Sequence, residues 1–133
     1  MDEQKLKAVR EAYKEREQLK EKIVEFEFMR ISPRGAVYGK ERVQTSAKGD
    51  MQPDTIAAVD SLIARYNAKL RACCELISEF ETALEKLNAR ERRMLRYYYI
   101  DHMTWENVCV EMNLSWSRLH EIRGAAIKKL VRE

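Results

Sequence analysis

Residues 87–130 read LNARERRMLRYYYIDHMTWENVCVEMNLSWSRLHEIRGAAIKKL. Three helix starts are written into this stretch. Asn88 followed by Glu91 has the form of an N-cap with a capping-box carboxylate at the third helical position. Thr104 stands before WENVCVEM, and Ser115 before the last run; both hydroxyls can take an unpaired N–H of a first helical turn. The first helix runs to about Asp101, with Leu87, Met94, Leu95 and Tyr98 inward. The second puts Trp105, Val108, Cys109 and Met112 inward, and Asn113-Leu114 makes a tight turn after it. The third has Leu119, Ile122, Ala126, Ile127 and Leu130 on one side. A helix of about eight residues, a short turn and a longer helix make a helix-turn-helix. The same spacing also occurs in plain helical bundles, so the outward residues decide. On the last helix these are Trp116, Ser117, His120, Glu121 and Arg123, with Lys128, Lys129 and Arg132 beyond. Polar side chains that can touch base edges, followed by cations for phosphates, suit the major groove of DNA.

Upstream, residues 54–87 carry the most regular apolar period. Ile56, Val59, Ile63, Tyr66, Leu70, Cys73, Ile77, Phe80, Leu84 and Leu87 follow 3-4 spacing without a slip. That predicts one long helix with a coiled-coil seam, started by Asp54 or Thr55 after Pro53. Residues 3–29 lack Gly and Pro and predict another long helix, striped by Leu6, Val9, Tyr13, Leu19, Ile23 and Phe26. Arg16 and Lys20 fall in that stripe and interrupt it. A second copy of the chain is therefore expected to cover the rest of the long seam, giving a homodimer. Between the two helices, residues 30–53 hold both prolines and all but one of the glycines. This is a linker, and its Arg34, Lys40, Arg42 and Lys48 make it either a basic arm for an anionic partner or a solvated connector. The expected division is a helical hairpin or coiled coil over 1–87 and a helix-turn-helix domain over 88–133.

Composition agrees. The chain has 133 residues, 35% of them charged, with 4 Gly and 2 Pro. So few turn residues exclude a β-sandwich or barrel, and the expected class is all-α. The net charge of +3 is uneven. Residues 30–53 hold five basic against two acidic groups and residues 88–133 nine against six, while both long helices are slightly acidic. No apolar run reaches the roughly 18 residues of a membrane span. The charged N-terminus has no signal-peptide core, so a cytoplasmic protein is expected. Cys73, Cys74 and Cys109 are odd in number and offer no C-x-x-C, so neither a disulfide framework nor a zinc site is expected. They are read as small buried hydrophobes. Asp101 and His102 adjoin but have no nucleophile beside them, and there is no phosphate-binding Gly-rich loop. His102 is read as structural. No catalytic residue, metal or cofactor is expected. Of Tyr97-Tyr98-Tyr99, one or two belong to the core, and Tyr97 lines a surface for DNA or protein.

The same C-terminal stretch resembles region 4 of the sigma-70 family. Thr104-Trp105-Glu106-Asn107-Val108-Cys109 fills that family's second-helix motif, and Ser115, Arg118, Leu119, Ile122, Ala126, Ile127 and Leu130 fill the third. More broadly the chain resembles small phage-encoded regulators of the ArpU/RinA type, found in phages and prophages of Gram-positive bacteria. Ser32-Pro33-Arg34-Gly35 matches their Gly-rich segment in kind. The resemblance implies control of phage late-gene transcription in the bacterial host cell, through double-stranded DNA and with RNA polymerase as a further partner. The DNA-binding candidates are Ser115, Trp116, Ser117, Arg118, His120, Glu121, Arg123, Lys128 and Lys129. Sigma factors place an Arg-Glu pair early in the recognition helix and an Arg-Gln pair later; here those positions are Trp116-Ser117 and His120-Glu121. An arginine bidentate to guanine is thus missing, and a different promoter element is expected. Trp116 either meets a thymine methyl or packs against polymerase. Arg118, carried over, contacts a phosphate or neighbouring base, or else pairs with Glu121 or Glu111. Two rival functions remain: a DNA-packaging adaptor of small-terminase type, which forms rings, and a polymerase-binding protein that hardly touches DNA.

Overall fold

A computed structural model describes residues 1–31 and 53–131. It contains five helices and, among the described residues, no strand. They are α1 (Glu3–Ile31), α2 (Pro53–Leu84), α3 (Ala89–Tyr99), α4 (Trp105–Met112) and α5 (Trp116–Val131). The all-α class is as expected. The linker 30–53, with its Ser32-Pro33-Arg34-Gly35 segment and its basic residues, lies outside the described residues except at its ends, as does Arg132.

The starts of the first two helices follow from local chemistry. Asp2 Oδ1 accepts the Lys5 N–H at 2.9 Å, and the Asp2 carbonyl accepts from Leu6 at 3.0 Å, so Asp2 caps α1. Pro53 is the first residue of α2, where its missing N–H leaves no bond unmade. At the other end, α2 stops at Leu84, three residues short of expectation. The chain then turns, with Leu87 N–H donating to the Leu84 carbonyl at 3.0 Å. Leu87 is 3% exposed all the same. An apolar period therefore runs on past the helix that begins it.

Packing divides the described residues into two compact units. One holds Arg16–Ile31 and the chain from Pro53 to Ala72, the other Met1–Glu15 and the chain from Cys73 onward. The boundary between these units falls inside α1 and α2. In the first unit, Leu19, Ile23 and Val59 are buried. Phe26 and Tyr66 meet edge to face at 5.2 Å, and Arg30 forms an ion pair with Asp60. Residue 26 beside 66 and 30 beside 60 mean antiparallel helices.

In the second unit, Leu6, Val9, Ala12 and Tyr13 of α1 are buried, as are Cys73, Ile77, Phe80, Ala83 and Leu84 of α2. Phe80 has no exposed surface; its ring lies 6.2 Å from Tyr13 and 5.3 Å from Tyr99. Lys5 Nζ reaches Glu79 at 3.1 Å, and Tyr13 donates its hydroxyl proton to Glu81. The long seam of α2 is thus partly covered within one chain. Ile56, Ile63, Tyr66 and Leu70 are half-buried. Two inward assignments change. Tyr99, not Tyr98, is the core tyrosine of α3, at 7% exposure, while Tyr98 is half-buried. Cys73 is buried and Cys109 half-buried, but Cys74 is exposed. Adjacent residues on an α-helix point about 100° apart, and here that turn carries Cys74 outward while Cys73 faces in.

The three C-terminal helices close over Met94, Val108, Leu119 and Ile122. Tyr97, Met103, Trp105, Cys109, Met112 and Leu114 pack around that cluster. Ala126 and Leu130 are also fully buried on α5.

Candidate nucleic-acid interface

Each helix of the C-terminal trio begins at a side-chain cap. Asn88 Oδ1 accepts the Glu91 N–H at 2.9 Å, and Glu91 Oε1 accepts the Asn88 N–H at 3.2 Å, which completes the capping box. Thr104 Oγ1 accepts from Asn107 at 3.2 Å, and Ser115 Oγ accepts from Arg118 at 3.1 Å. Between α4 and α5, Asn113 sits in the left-handed region at φ 57°. Asn tolerates that conformation better than most non-glycine residues. Its N–H and that of Leu114 return to carbonyls of α4, Leu114 to Cys109 at 2.9 Å. The caps and the turn set the geometry of a helix-turn-helix: α4, a three-residue turn, then α5.

The first turns of α5 carry the candidate readers. Trp116 is 48% exposed, large for a tryptophan, and its ring meets His120 edge-on at 4.6 Å. Ser117, Arg118, His120 and Glu121 are exposed. Arg118 NH1 donates to Glu121 Oε1 at 2.8 Å, the ion pair left open as one reading of Arg118. Both partners are about half exposed or more, so the pair contributes at most ~1 kcal/mol and leaves both groups available to a ligand. Ser115 is engaged as the cap, and its Oγ is occupied there.

The remaining candidates separate. Lys128 is exposed. Lys129 Nζ instead lies 3.0 and 3.1 Å from the two oxygens of Glu91. Glu91 is 5% exposed, so Lys129 neutralises a buried carboxylate at the start of α3. Arg123 lies over the ring of Trp105, 4.7 Å from its centroid, and its NH1 approaches His120 Nδ1 at 3.5 Å.

Sequence reasoning passed over three arginines. Arg90 and Arg93 are exposed on α3, one turn apart. Arg93 stacks on Tyr97 at 5.6 Å and donates to its hydroxyl at 3.1 Å. Arg90 faces Arg118, Glu121 and Ile122 across an open groove between the start of α3 and α5. Their 3-4 spacing with Tyr97 is a readable signal for one basic, aromatic face. Arg10 of α1 packs over Tyr98 and bonds to the turn before α4. No local pattern points to it, because its partners are 88 and 93 residues away in sequence. His102 holds φ 59° in that turn, with Nε2 2.9 Å from the Arg10 carbonyl oxygen. Among the described residues, no three His, Cys, Asp or Glu side chains gather as a metal site. No described helix is long and apolar enough to cross a membrane.

Comparison with known proteins points at the same segment. Residues 83–131 match the family model of Sigma-70, region 4. The chain is also similar to "Transcriptional activator rinA" of Staphylococcus phage phi11, 25% identical over 93 residues. That match covers 67% of this chain and 65% of the relative, just under two thirds of the latter's length. No solved structure matches. Both resemblances read from the sequence, to sigma region 4 and to phage regulators, are therefore met by independent comparison.

Proposed function

From a C-terminal segment similar to Sigma-70, region 4, whose α5 turns its exposed polar end outward, we propose that this chain is a sequence-specific DNA-binding regulator of phage or prophage transcription. The observation that carries the reading is the capped start of α5, with Trp116, Ser117, Arg118, His120 and Glu121 exposed together. A recognition helix contacts base edges with its N-terminal residues. Glu121 accepts a hydrogen bond from a cytosine amino group, and Ser117 bonds to either kind of edge. Arg90, Arg93 and Lys128 suit phosphates on either side. Likeness to a phage transcriptional activator supports the phage setting, and the proposal assigns the chain to late-gene control. RNA polymerase is a further partner in this proposal, and the exposed Val110 of α4 and Trp116 of α5 offer apolar surface for it. Duplex DNA inside the bacterial host is the site of action.

Two copies belong to the proposal as well. Ile63, Tyr66 and Leu70 remain half-buried along α2, which leaves apolar surface for a second subunit. Paired recognition helices then read two half-sites.

Binding is tested by titrating duplex fragments of the encoding phage at several salt concentrations. With four to six phosphate contacts, log affinity falls against log salt with a slope of roughly −4 to −5. Ser117→Ala or Glu121→Ala relaxes preference among sites by about 1–3 kcal/mol, whereas Lys128→Ala weakens all sequences alike and flattens the slope by about one. Absence of binding to every fragment refutes the reading. Sedimentation of the same protein separates a dimer from the rings of a packaging adaptor.

A further inference from the structure

Four side chains from four helices form one continuous stack. The Arg10 guanidinium of α1 lies 4.4 Å from the Tyr98 ring centroid. Tyr98 of α3 and Trp105 of α4 are parallel to within 9°, their centroids 4.0 Å apart. Arg123 of α5 lies on the Trp105 ring at 4.7 Å. Two aromatic rings are thus sandwiched between two guanidinium groups. Each cation is attracted to the electron-rich face of its ring.

Arg10 holds more than a ring. Its Nε donates to the Tyr98 carbonyl at 3.0 Å and its NH2 to the Met103 carbonyl at 3.2 Å. Its own carbonyl oxygen lies 2.9 Å from His102 Nε2. The guanidinium therefore spans the end of α3 and the turn that leads into α4. Trp105 is the first residue of α4, and its ring position follows from that turn and from Tyr98 beneath it.

At the far end of the stack, Arg123 Cζ lies over the Trp105 ring, and NH1 approaches His120 Nδ1 at 3.5 Å. Beyond that contact the guanidinium has further N–H donors, which suit a phosphate oxygen. In helix-turn-helix proteins the helix before the recognition helix crosses the DNA backbone. Arg123 sits on α5 against the start of that helix.

We propose that Arg10 is a positioning residue for DNA binding. It acts through Tyr98 and Trp105 to hold Arg123 in place for a backbone phosphate. The inference rests on the DNA-binding reading above. It gives α1, through Arg10, a part in holding the DNA-binding surface.

The test uses the full chain and mixed-sequence duplex DNA over a range of salt. Arg123→Ala lowers affinity roughly three- to tenfold and flattens the salt slope by about one, the loss of one phosphate contact. Arg10→Ala does the same, and adds nothing further when Arg123 is already alanine. Arg10→Lys keeps the charge but loses the planar fork, and behaves like Arg10→Ala. Trp105→Phe keeps a ring under Arg123 and keeps the slope. Near-ultraviolet circular dichroism reports the Tyr98–Trp105 stack in each variant. Thermal unfolding and helicity identify any variant that fails to fold, for which Arg10→Lys and Trp105→Phe stand in. An unchanged slope in a folded Arg10→Lys protein overturns the proposal, as does an Arg10 effect that simply adds to that of Arg123. If the unaltered protein binds no duplex at all, the DNA-binding reading falls and this one with it. Binding with an unchanged slope sinks only the role of Arg10.

Discussion

Replacing Lys129 by alanine tests whether this lysine serves the fold or the DNA. Its ammonium is 3.0 and 3.1 Å from the two oxygens of Glu91. The Glu91 side chain is 7% exposed and that of Lys129 is 47% exposed. Removing one partner of a fully buried pair costs about 3–5 kcal/mol, because the other charge is left in a poorly solvated place. Here one partner is half in water, which reduces the cost. Glu91 also keeps the Asn88 N–H at 3.2 Å and its place in the first turn of α3. A carboxylate there gains about 0.3–1 kcal/mol from the helix dipole. The expected loss for Lys129→Ala is therefore about 2 kcal/mol. For a chain of this size that lowers the unfolding temperature by roughly 6–10 °C. Urea unfolding of the four proteins in a Lys129→Ala and Glu91→Gln cycle isolates the pair. In the Glu91→Gln background, Lys129→Ala costs less than about 0.5 kcal/mol, since no buried charge remains to be stranded. The opposite pattern refutes the reasoning: unchanged unfolding, with DNA affinity down and the salt slope flattened by one, means that Lys129 belongs to the DNA.

Phe80→Ala removes a ring with no exposed surface, packed near Tyr13 and Tyr99, and lowers stability by about 3–5 kcal/mol in a urea melt. Burial, and then the neighbouring Tyr98, push the Tyr99 hydroxyl up to about 12, while Arg123 and Arg10 pull the other way. Between pH 10 and 12 the unfolded chain gives up that proton and the folded chain keeps it, so stability falls as pH rises through this window. The loss reaches up to roughly 2 kcal/mol; it is absent below pH 10 and disappears in Tyr99→Phe, as unfolding at stepped pH will show. Asn113→Gly leaves stability nearly unchanged, whereas Asn113→Val costs about 1–2 kcal/mol because a branched side chain strains the left-handed turn; thermal unfolding of the two variants decides it.

Local signals were legible and distant ones were not. Asn88 with Glu91, Thr104, Asn113 and Ser115 each act on a backbone group within a few residues, so their roles can be read directly from the sequence. The inward set of α5 follows the helical period closely, with Leu119, Ile122, Ala126 and Leu130 all buried. The end of α2 was misplaced because burial of Leu87 continues an apolar rhythm that the backbone has already left. Lys129 is grouped with the DNA candidates because its sequence neighbours are basic, and nothing nearby names its partner Glu91, 38 residues upstream. Arg10 is the extreme case: it looks like any solvated arginine of a charged helix, and its partners belong to helices at the other end of the chain.

That distance carries a consequence for the order in which the protein is made. Arg10 leaves the ribosome long before Met103, its partner 93 residues later. At about 5–20 residues per second the wait is roughly 5–20 s. Meanwhile Leu6, Val9 and Tyr13 can meet only α2, and those contacts can form first. The nascent C-terminal helices then emerge beside a surface already waiting to receive them. A chain shortened at its start would finish translation with α3 and α4 exposed where Arg10 should sit. Its defect would appear first as poor yield of soluble protein, before any deficit at a promoter could be measured.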